Sequence, residues 1–189
     1  MKIENLFYGE RIKLAAVRDE DAEVMFKWGE DAEYLRNVDT DLALPYTLKQ
    51  MESEGTPSSN EVYFRLRTLE DDVLIGFVAI HGIEWNNRTG QLAVGIGNTK
   101  YRGKGYGTEA VRLILRYAFY ELNLNRVGLD VIEYNNRAIR TYEKAGFQLE
   151  GRVRSAVLRD GNSYDRIMMG ILYSEWSSAV KGDGYTICS

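Results

Sequence analysis

The segment Arg102-Gly103-Lys104-Gly105-Tyr106-Gly107-Thr108 alternates three glycines with side chains, two of them cationic. An amphipathic stretch follows at once. Val111, Ile114, Leu115, Ala118 and Leu122 recur at helical spacing, and Glu109, Arg112 and Arg116 share the polar face. Glycines permit close backbone approach, so such a loop can aim several N–H groups at one anion beside the positive end of a helix dipole. That arrangement suits a diphosphate. A second constellation, Asn135-Asn136-Arg137-Ala138-Ile139-Arg140-Thr141-Tyr142-Glu143-Lys144-Ala145-Gly146-Phe147, comes one helix and one strand later. Asn135 and Tyr142 are seven residues apart and share a helix face with Ala138 and Ile139. Ala138 is small enough for a ligand to lie close, and a phenol on the same face can act as a proton donor.

Which diphosphate is meant depends on the spacing. A phosphate loop of the Gly-x-x-x-x-Gly-Lys-Ser/Thr kind needs a hydroxyl after its lysine, but Gly105 follows Lys104. A dinucleotide turn needs Gly-x-Gly-x-x-Gly/Ala and an acidic residue about 20 positions on. Gly105, Gly107, Ala110 and Asp130 come near to it, although Asn98 to Arg102 intervene between the strand and the glycines. The two segments together, Arg-Gly-x-Gly-x-Gly and Asn-x-x-Ala-x-x-x-Tyr-x-x-x-Gly-Phe, resemble the GNAT superfamily of acyl-CoA-dependent N-acetyltransferases, and the resemblance runs from about Arg11 to Trp176.

The resemblance implies acetyl-CoA as co-substrate and no metal. It implies that Arg102, Gly103, Lys104, Gly105, Tyr106, Gly107 and Thr108 hold the diphosphate, with Lys104 and Arg102 adding charge. Gly95, Ile96 and Gly97 of the preceding strand would pair with the pantetheine amides and present a backbone N–H to the developing oxyanion. Asn135, Ala138 and Tyr142 would line the coenzyme, with Tyr142 protonating the departing thiolate. Many family members carry a glutamate as general base on the strand before the loop. The aligned position here is Gln91, which cannot take a proton, so Glu84 is the nearest remaining carboxylate. His81, the sole histidine, shares an expected face with Phe77, Ala79 and Ile83 and reads as a structural side chain. The single cysteine, Cys188, lies far along the chain from both motifs, which favours direct attack in a ternary complex over an acyl-enzyme.

The stretch from Asn135 to Trp176 looks like the branch containing ribosomal-protein N-terminal and spermidine acetyltransferases. The acceptor would then be a protein N-terminus, a polyamine or another small amine. Choice of acceptor is expected in the segment from Trp28 to Asn60 and in the closing hairpin. Glu30, Asp31, Glu33, Asp39 and Asp41 make that segment acidic, and Tyr34 and Tyr46 are candidates to line a channel. A nicotinamide-dependent oxidoreductase and a catalytically silent CoA-binding module are the alternatives.

The elements that must position these residues follow from pattern. Arg11 to Ala16 reads as a strand, and Asp19 to Trp28 as a helix with Ala22, Met25 and Phe26 on its buried stripe. Glu30 to Pro45 has no firm pattern; Thr47 to Ser53 reads as a helix and Gly55 to Asn60 as a loop. Val62 to Leu69, Val73 to Glu84 and Gln91 to Gly97 read as strands, Thr108 to Leu122 as a helix, and Val127 to Ile132 as a strand. Asn135 or Asn136 would cap a helix that Gly146 stops, and Phe147 to Leu158 with Ser163 to Leu172 would form a hairpin around Asp160-Gly161-Asn162.

The fold class is mixed α/β, and the resemblance implies a twisted central sheet splayed in its middle. A chain of 189 residues reads as a single acetyltransferase domain, with a mobile tail from about Lys181. The net charge of −4 argues against a general nucleic-acid binder. No apolar run matches a signal peptide or a membrane span, and one cysteine fits a reducing cytoplasm. A homodimer is compatible with the composition.

Overall fold

A computed structural model of the protein describes residues 5–55 and 58–182. The chain runs β1 (Ile12–Ala15), α1 (Asp21–Trp28), α2 (Ala32–Val38), α3 (Leu48–Ser53), β2 (Val62–Thr68), β3 (Leu74–Glu84) and β4 (Thr89–Ile96). A 3-10 turn over Thr99–Tyr101 leads to α4 (Tyr106–Tyr120), β5 (Arg126–Ile132), α5 (Asn136–Ala145), β6 (Gln148–Arg159), β7 (Asn162–Leu172) and α6 (Tyr173–Gly182). The expected elements are present. Glu30 to Pro45, unassigned from pattern, contains α2, with Asp31 as its cap accepting from the Tyr34 N–H at 3.1 Å. Residues 183–189, including Cys188, lie outside the described residues. No helix among the described residues is long and apolar enough to cross a membrane.

The seven strands form one mixed sheet in the order β1-β2-β3-β4-β5-β7-β6. All pairs are antiparallel except β4 with β5. That parallel pair covers only Thr89↔Arg126, Gly90↔Val127 and Gln91↔Gly128. Beyond this rung the strands part. β4 continues to pair with β3 as far as Ile96, and β5 with β7 over its whole length. The sheet is therefore split from the middle toward the C-terminal ends of β4 and β5.

The amphipathic stripe of α4 explains one layer. Val111, Ile114, Leu115 and Ala118 are buried against Val78, Ile80 and Val127 in the main core. Its expected polar face is only partly wet. The Glu109 carboxylate accepts from the Arg11 N–H at 2.7 Å and the Ile12 N–H at 3.2 Å, and Arg116 donates to the carbonyls of Asn5, Leu6 and Tyr8. The N-terminal segment thus closes over α4. On the opposite face α1 and α3 enclose a smaller core of Ala22, Met25, Met51 and Leu74. The hairpin of β6 and β7 reaches across to α2: Arg159 donates to the carbonyls of Thr40 and Asp41, and Arg36 pairs with Asp160 at 2.9 Å.

Candidate active site

The cleft left by the split sheet has a volume of about 570 Å³. One wall is β4 from Leu92 to Ile96; the other is Asp130 to Ile132 of β5 together with α5. Gly103, Gly105, Gly107 and Thr108 form its mouth. Gly105 caps α4 in the left-handed conformation, at φ 87°, which lets the helix start with its N–H groups facing the cleft. The end of α5 is fixed in the same manner: Gly146, at φ 100°, stops it, and the Asn135 side chain accepts from the Ala138 N–H at 3.1 Å.

Tyr142 projects from α5 into this cleft and is 8% exposed. Its ring meets Phe147 edge-on at 5.9 Å. Its hydroxyl has no hydrogen-bond partner among the described residues. Burial, and then the nearby Asp130 charge, push the phenol pKa up to about 12. The group is therefore held protonated, as an acid must be. Ala138 and Asn135 border the same space, so the structure brings together the residues of the second motif.

A family model described as an acetyltransferase (GNAT) domain matches residues 11–148. The Bacillus subtilis (strain 168) protein named SPbeta prophage-derived uncharacterized N-acetyltransferase YokL is 32% identical over 169 residues, covering 89% of this chain and 93% of its own. The chain belongs to the GNAT acetyltransferase family. It is an acyl-CoA-dependent N-acetyltransferase. The putative ribosomal N-acetyltransferase YdaF of the same organism is 32% identical over 108 residues, covering 57% of this chain and 58% of its own. In fold, the chain is similar to the Vibrio cholerae spermidine N-acetyltransferase solved with CoA and spermine, with a TM-score of 0.78, 24% identity, and coverage of 88% of this chain and 98% of that one.

Several expected site residues of this GNAT acetyltransferase are placed differently from their anticipated roles. Arg102 borders the cleft, but its guanidinium is held by main-chain and carboxylate partners. Its guanidinium donates to the carbonyls of Ile96 and Gly97, each at 2.8 Å, and to Asp31 at 3.2 Å. It thus fastens the end of β4 to the start of α2. Lys104 is exposed and does not border the cleft. The Tyr106 ring lies under the Arg11 guanidinium at 4.4 Å and against Tyr101, again away from the cleft. Positive charge at the mouth comes instead from Arg137, Arg140 and Lys144 of α5, which border the cleft with no acidic partner among the described residues. Their spacing, with Thr141, of three, four and seven positions marks a single helix face and was the available signal.

The strand glycines also have a second cause. A Cβ at Gly97 would lie 2.0 Å from the Trp28 ring, and one at Gly95 would lie 2.6 Å from Phe77 and 2.7 Å from the Tyr34 hydroxyl. The aromatic residues of α1 and α2 occupy the space beside β4. Gly97 itself does not border the cleft, whereas Gly95 and Ile96 do.

A second chamber, of about 260 Å³, adjoins the cleft. Tyr34, Val38, Asp39, His81 and Ala93 border both spaces. Trp28, Tyr46, Tyr63 and Phe77 supply aromatic walls, with Tyr63 and Phe77 stacked at 5.4 Å. Asp39, Glu54 and Glu61 supply carboxylates, and no lysine or arginine borders it among the described residues. Behind this wall, Arg65 is fully buried; it donates to the Tyr63 hydroxyl at 2.7 Å and stands 3.6 Å from Asp21, which also meets Arg67. Burial raises the Glu54 pKa, and Arg65 opposes that rise.

Glu84 borders neither space. It lies at the far end of β3 opposite Thr89 and accepts from the Asn87 side chain at 2.5 Å. It is therefore not placed to act as the base expected of it. His81, expected to be a structural side chain, is instead exposed and borders both cavities. It shares the face of Phe77 and Ala79, as expected, but a bulge between His81 and Glu84 carries Ile83 into the opposite core. Among the described residues, no cluster of three or more His, Cys, Asp or Glu side chains is placed to hold a metal.

Proposed function

We propose that the protein transfers the acetyl group of acetyl-CoA to the primary amine of a cationic acceptor, by direct attack within a ternary complex. The carrying observation is the junction of the two cavities across one set of walls. One cavity has the loop, the helix N-terminus and the α5 cations suited to a phosphate-bearing coenzyme. The other has the aromatic faces and carboxylates suited to an ammonium group on a slender arm. The chamber, at about 260 Å³, is less than half the size of the cleft at about 570 Å³. It favours a polyamine end or a peptide N-terminus over a whole aminoglycoside.

In this scheme the backbone of Gly103 to Thr108 and the cations Arg137, Arg140 and Lys144 hold the phosphates. The free edge of β4 pairs with the pantetheine amides and offers an N–H to the thioester oxygen. Tyr142 gives its proton to the departing sulfur. Asp39, Glu54 and Glu61 attract the ammonium group into the chamber. The scheme assigns no role to the only cysteine, Cys188, which lies outside the described residues.

An amine panel tests the reading. Thiol release from acetyl-CoA is expected with polyamines or short peptides and to a lesser degree with aminoglycosides. Tight CoA binding without thiol release for any amine would support a silent CoA-binding module instead. Binding of a nicotinamide nucleotide in place of CoA would reject the coenzyme assignment.

A further inference from the structure

We propose that His81 takes the proton from the incoming ammonium group. The proposal rests on the acceptor reading above. His81 stands on β3 directly opposite Gln91 of β4, and Gln91↔Gly128 is the last rung joining β4 to β5. The imidazole therefore sits at the fork of the split sheet. It is exposed, borders both cavities, and has no hydrogen-bond partner among the described residues. The bulge, with Gly82 at φ 56°, comes only after His81, so the alternation through Phe77 and Ala79 runs unbroken to His81 and keeps it on the cavity face.

The ionisable side chains that border both cavities are Tyr34, Asp39 and His81. Burial pushes the Tyr34 phenol far up, so Tyr34 is a hydrogen-bond donor. The Asp39 carboxylate already accepts from the Asp41 N–H at 3.0 Å. The imidazole of His81 has a free lone pair, and histidine is suited to proton transfer near neutral pH.

The step balances. His81 accepts one proton from R–NH₃⁺, leaving R–NH₂ and an imidazolium. The amine lone pair forms the C–N bond at the thioester carbonyl, and the C–S bond breaks. Sulfur takes a proton from Tyr142, and the second nitrogen proton returns to Tyr142 through water. The imidazolium releases its proton to solvent, so ammonium plus thioester gives amide, thiol and one proton.

The test compares His81→Gln with the unaltered protein on two kinds of acceptor: an alkylammonium amine, and a weakly basic amine such as hydroxylamine, already neutral in the assay. Expected is a fall in kcat of about 10²-fold on the first and under about threefold on the second, with CoA affinity unchanged. Equal loss on both would make His81 a positioning residue and overturn the proposal, as would no loss on either. Selective loss in Asp39→Asn but not in His81→Gln would move the role to Asp39 and overturn it too. A second readout needs no turnover. His81 is the only histidine, so its ring C–H resonances are unambiguous. In the CoA complex they are expected to shift on adding the alkylammonium acceptor; no shift would overturn the proposal. Absence of turnover by the unaltered protein with every amine would overturn the acceptor reading and this proposal together, a result distinct from a defect confined to His81→Gln.

Discussion

Replacing Tyr142 with phenylalanine removes one oxygen from the wall of the cleft. That oxygen has no hydrogen-bond partner among the described residues, and the ring keeps its contact with Phe147. Folding stability should therefore change by less than about 1 kcal/mol. Affinity for CoA should be nearly intact, because the groups proposed to hold its phosphates lie elsewhere on the loop and α5. The chemical step should slow by about 10²-fold or more, or roughly 2.7 kcal/mol of barrier. The raised pKa sharpens the prediction. An ordinary phenol is half ionised near pH ~10, whereas Tyr142 reaches that point only at about 12. In the proposed scheme the acid form is the active one, so its ionisation should produce no fall in rate up to about pH 10. The same elevation limits the mechanism. Complete transfer to a free thiolate, with a thiol pKa of ~8.5, would be uphill by roughly 5 kcal/mol, so the proton must move as the C–S bond breaks. The assay is single-turnover thiol release at saturating acetyl-CoA and amine, with CoA affinity measured by calorimetry. An unchanged single-turnover rate would refute the reasoning. So would a loss explained wholly by weaker CoA binding.

Four further outcomes are expected. Gly107→Asp should fold, because a Cβ there meets nothing closer than 3.8 Å and a carboxylate suits a helix N-terminus; its charge faces the cleft, so CoA affinity should fall by about 10²-fold or more in calorimetry. Gly97→Ala should lower stability by about 1–3 kcal/mol in chemical denaturation, because its Cβ would lie 2.0 Å from Trp28. Arg102→Gln should also destabilise, by about 1–3 kcal/mol, by freeing the carbonyls of Ile96 and Gly97, while leaving the salt dependence of CoA binding unchanged; a reduced salt dependence would return Arg102 to the phosphates. Asp72 is held down to about 2 by Lys13 and Arg18. A depressed folded pKa contributes stability above the ordinary value of 3.8 and loses it as pH falls through about 2, so the melting-temperature gap between the unaltered protein and Asp72→Asn should close over that window.

Sequence pattern made much of the scaffold legible. The α4 stripe, the Asn135 cap and the Gly146 stop are local signals, and each is where spacing placed it. The helix α2 was missed although Asp31 and the helix formers after it were a usable start signal. The side-chain roles were harder to read. Arg102 sits in the diphosphate motif, yet its length lets it reach back to β4, and no local pattern encodes that choice. His81 looked structural because simple alternation put Ile83 on its face; the bulge at Gly82 breaks that alternation, and a lone glycine within a strand was the clue. Glu109 and Arg116 looked like solvated charges because a helical wheel cannot show the N-terminal segment that covers them.

The split in the sheet has an energetic logic that favours an amide-bearing ligand. Each arm stays paired on its outer side, β4 with β3 to Ile96 and β5 with β7 to Ile132. Only the inner edges are given up, over residues 92–96 and 129–132. Buried backbone donors and acceptors need partners, and these edges face a cleft instead of a neighbouring strand. Water can satisfy them when the cleft is open. A thin arm with its own amides can satisfy them as a strand would, without the apolar side chains that would fill the space. The aromatic side chains maintain the opening. Trp28 and Tyr34 lie against Gly97 and Gly95, positions where any larger residue would push α1 and α2 off β4. Arg102 then ties the end of β4 to Asp31 at the start of α2. The aromatic wall that holds β4 on one side is also a wall of the second chamber on the other. On the function proposed above, a change that collapsed the chamber would therefore disturb the inner edge of β4 as well, coupling acceptor binding to carbonyl polarisation through β4 itself.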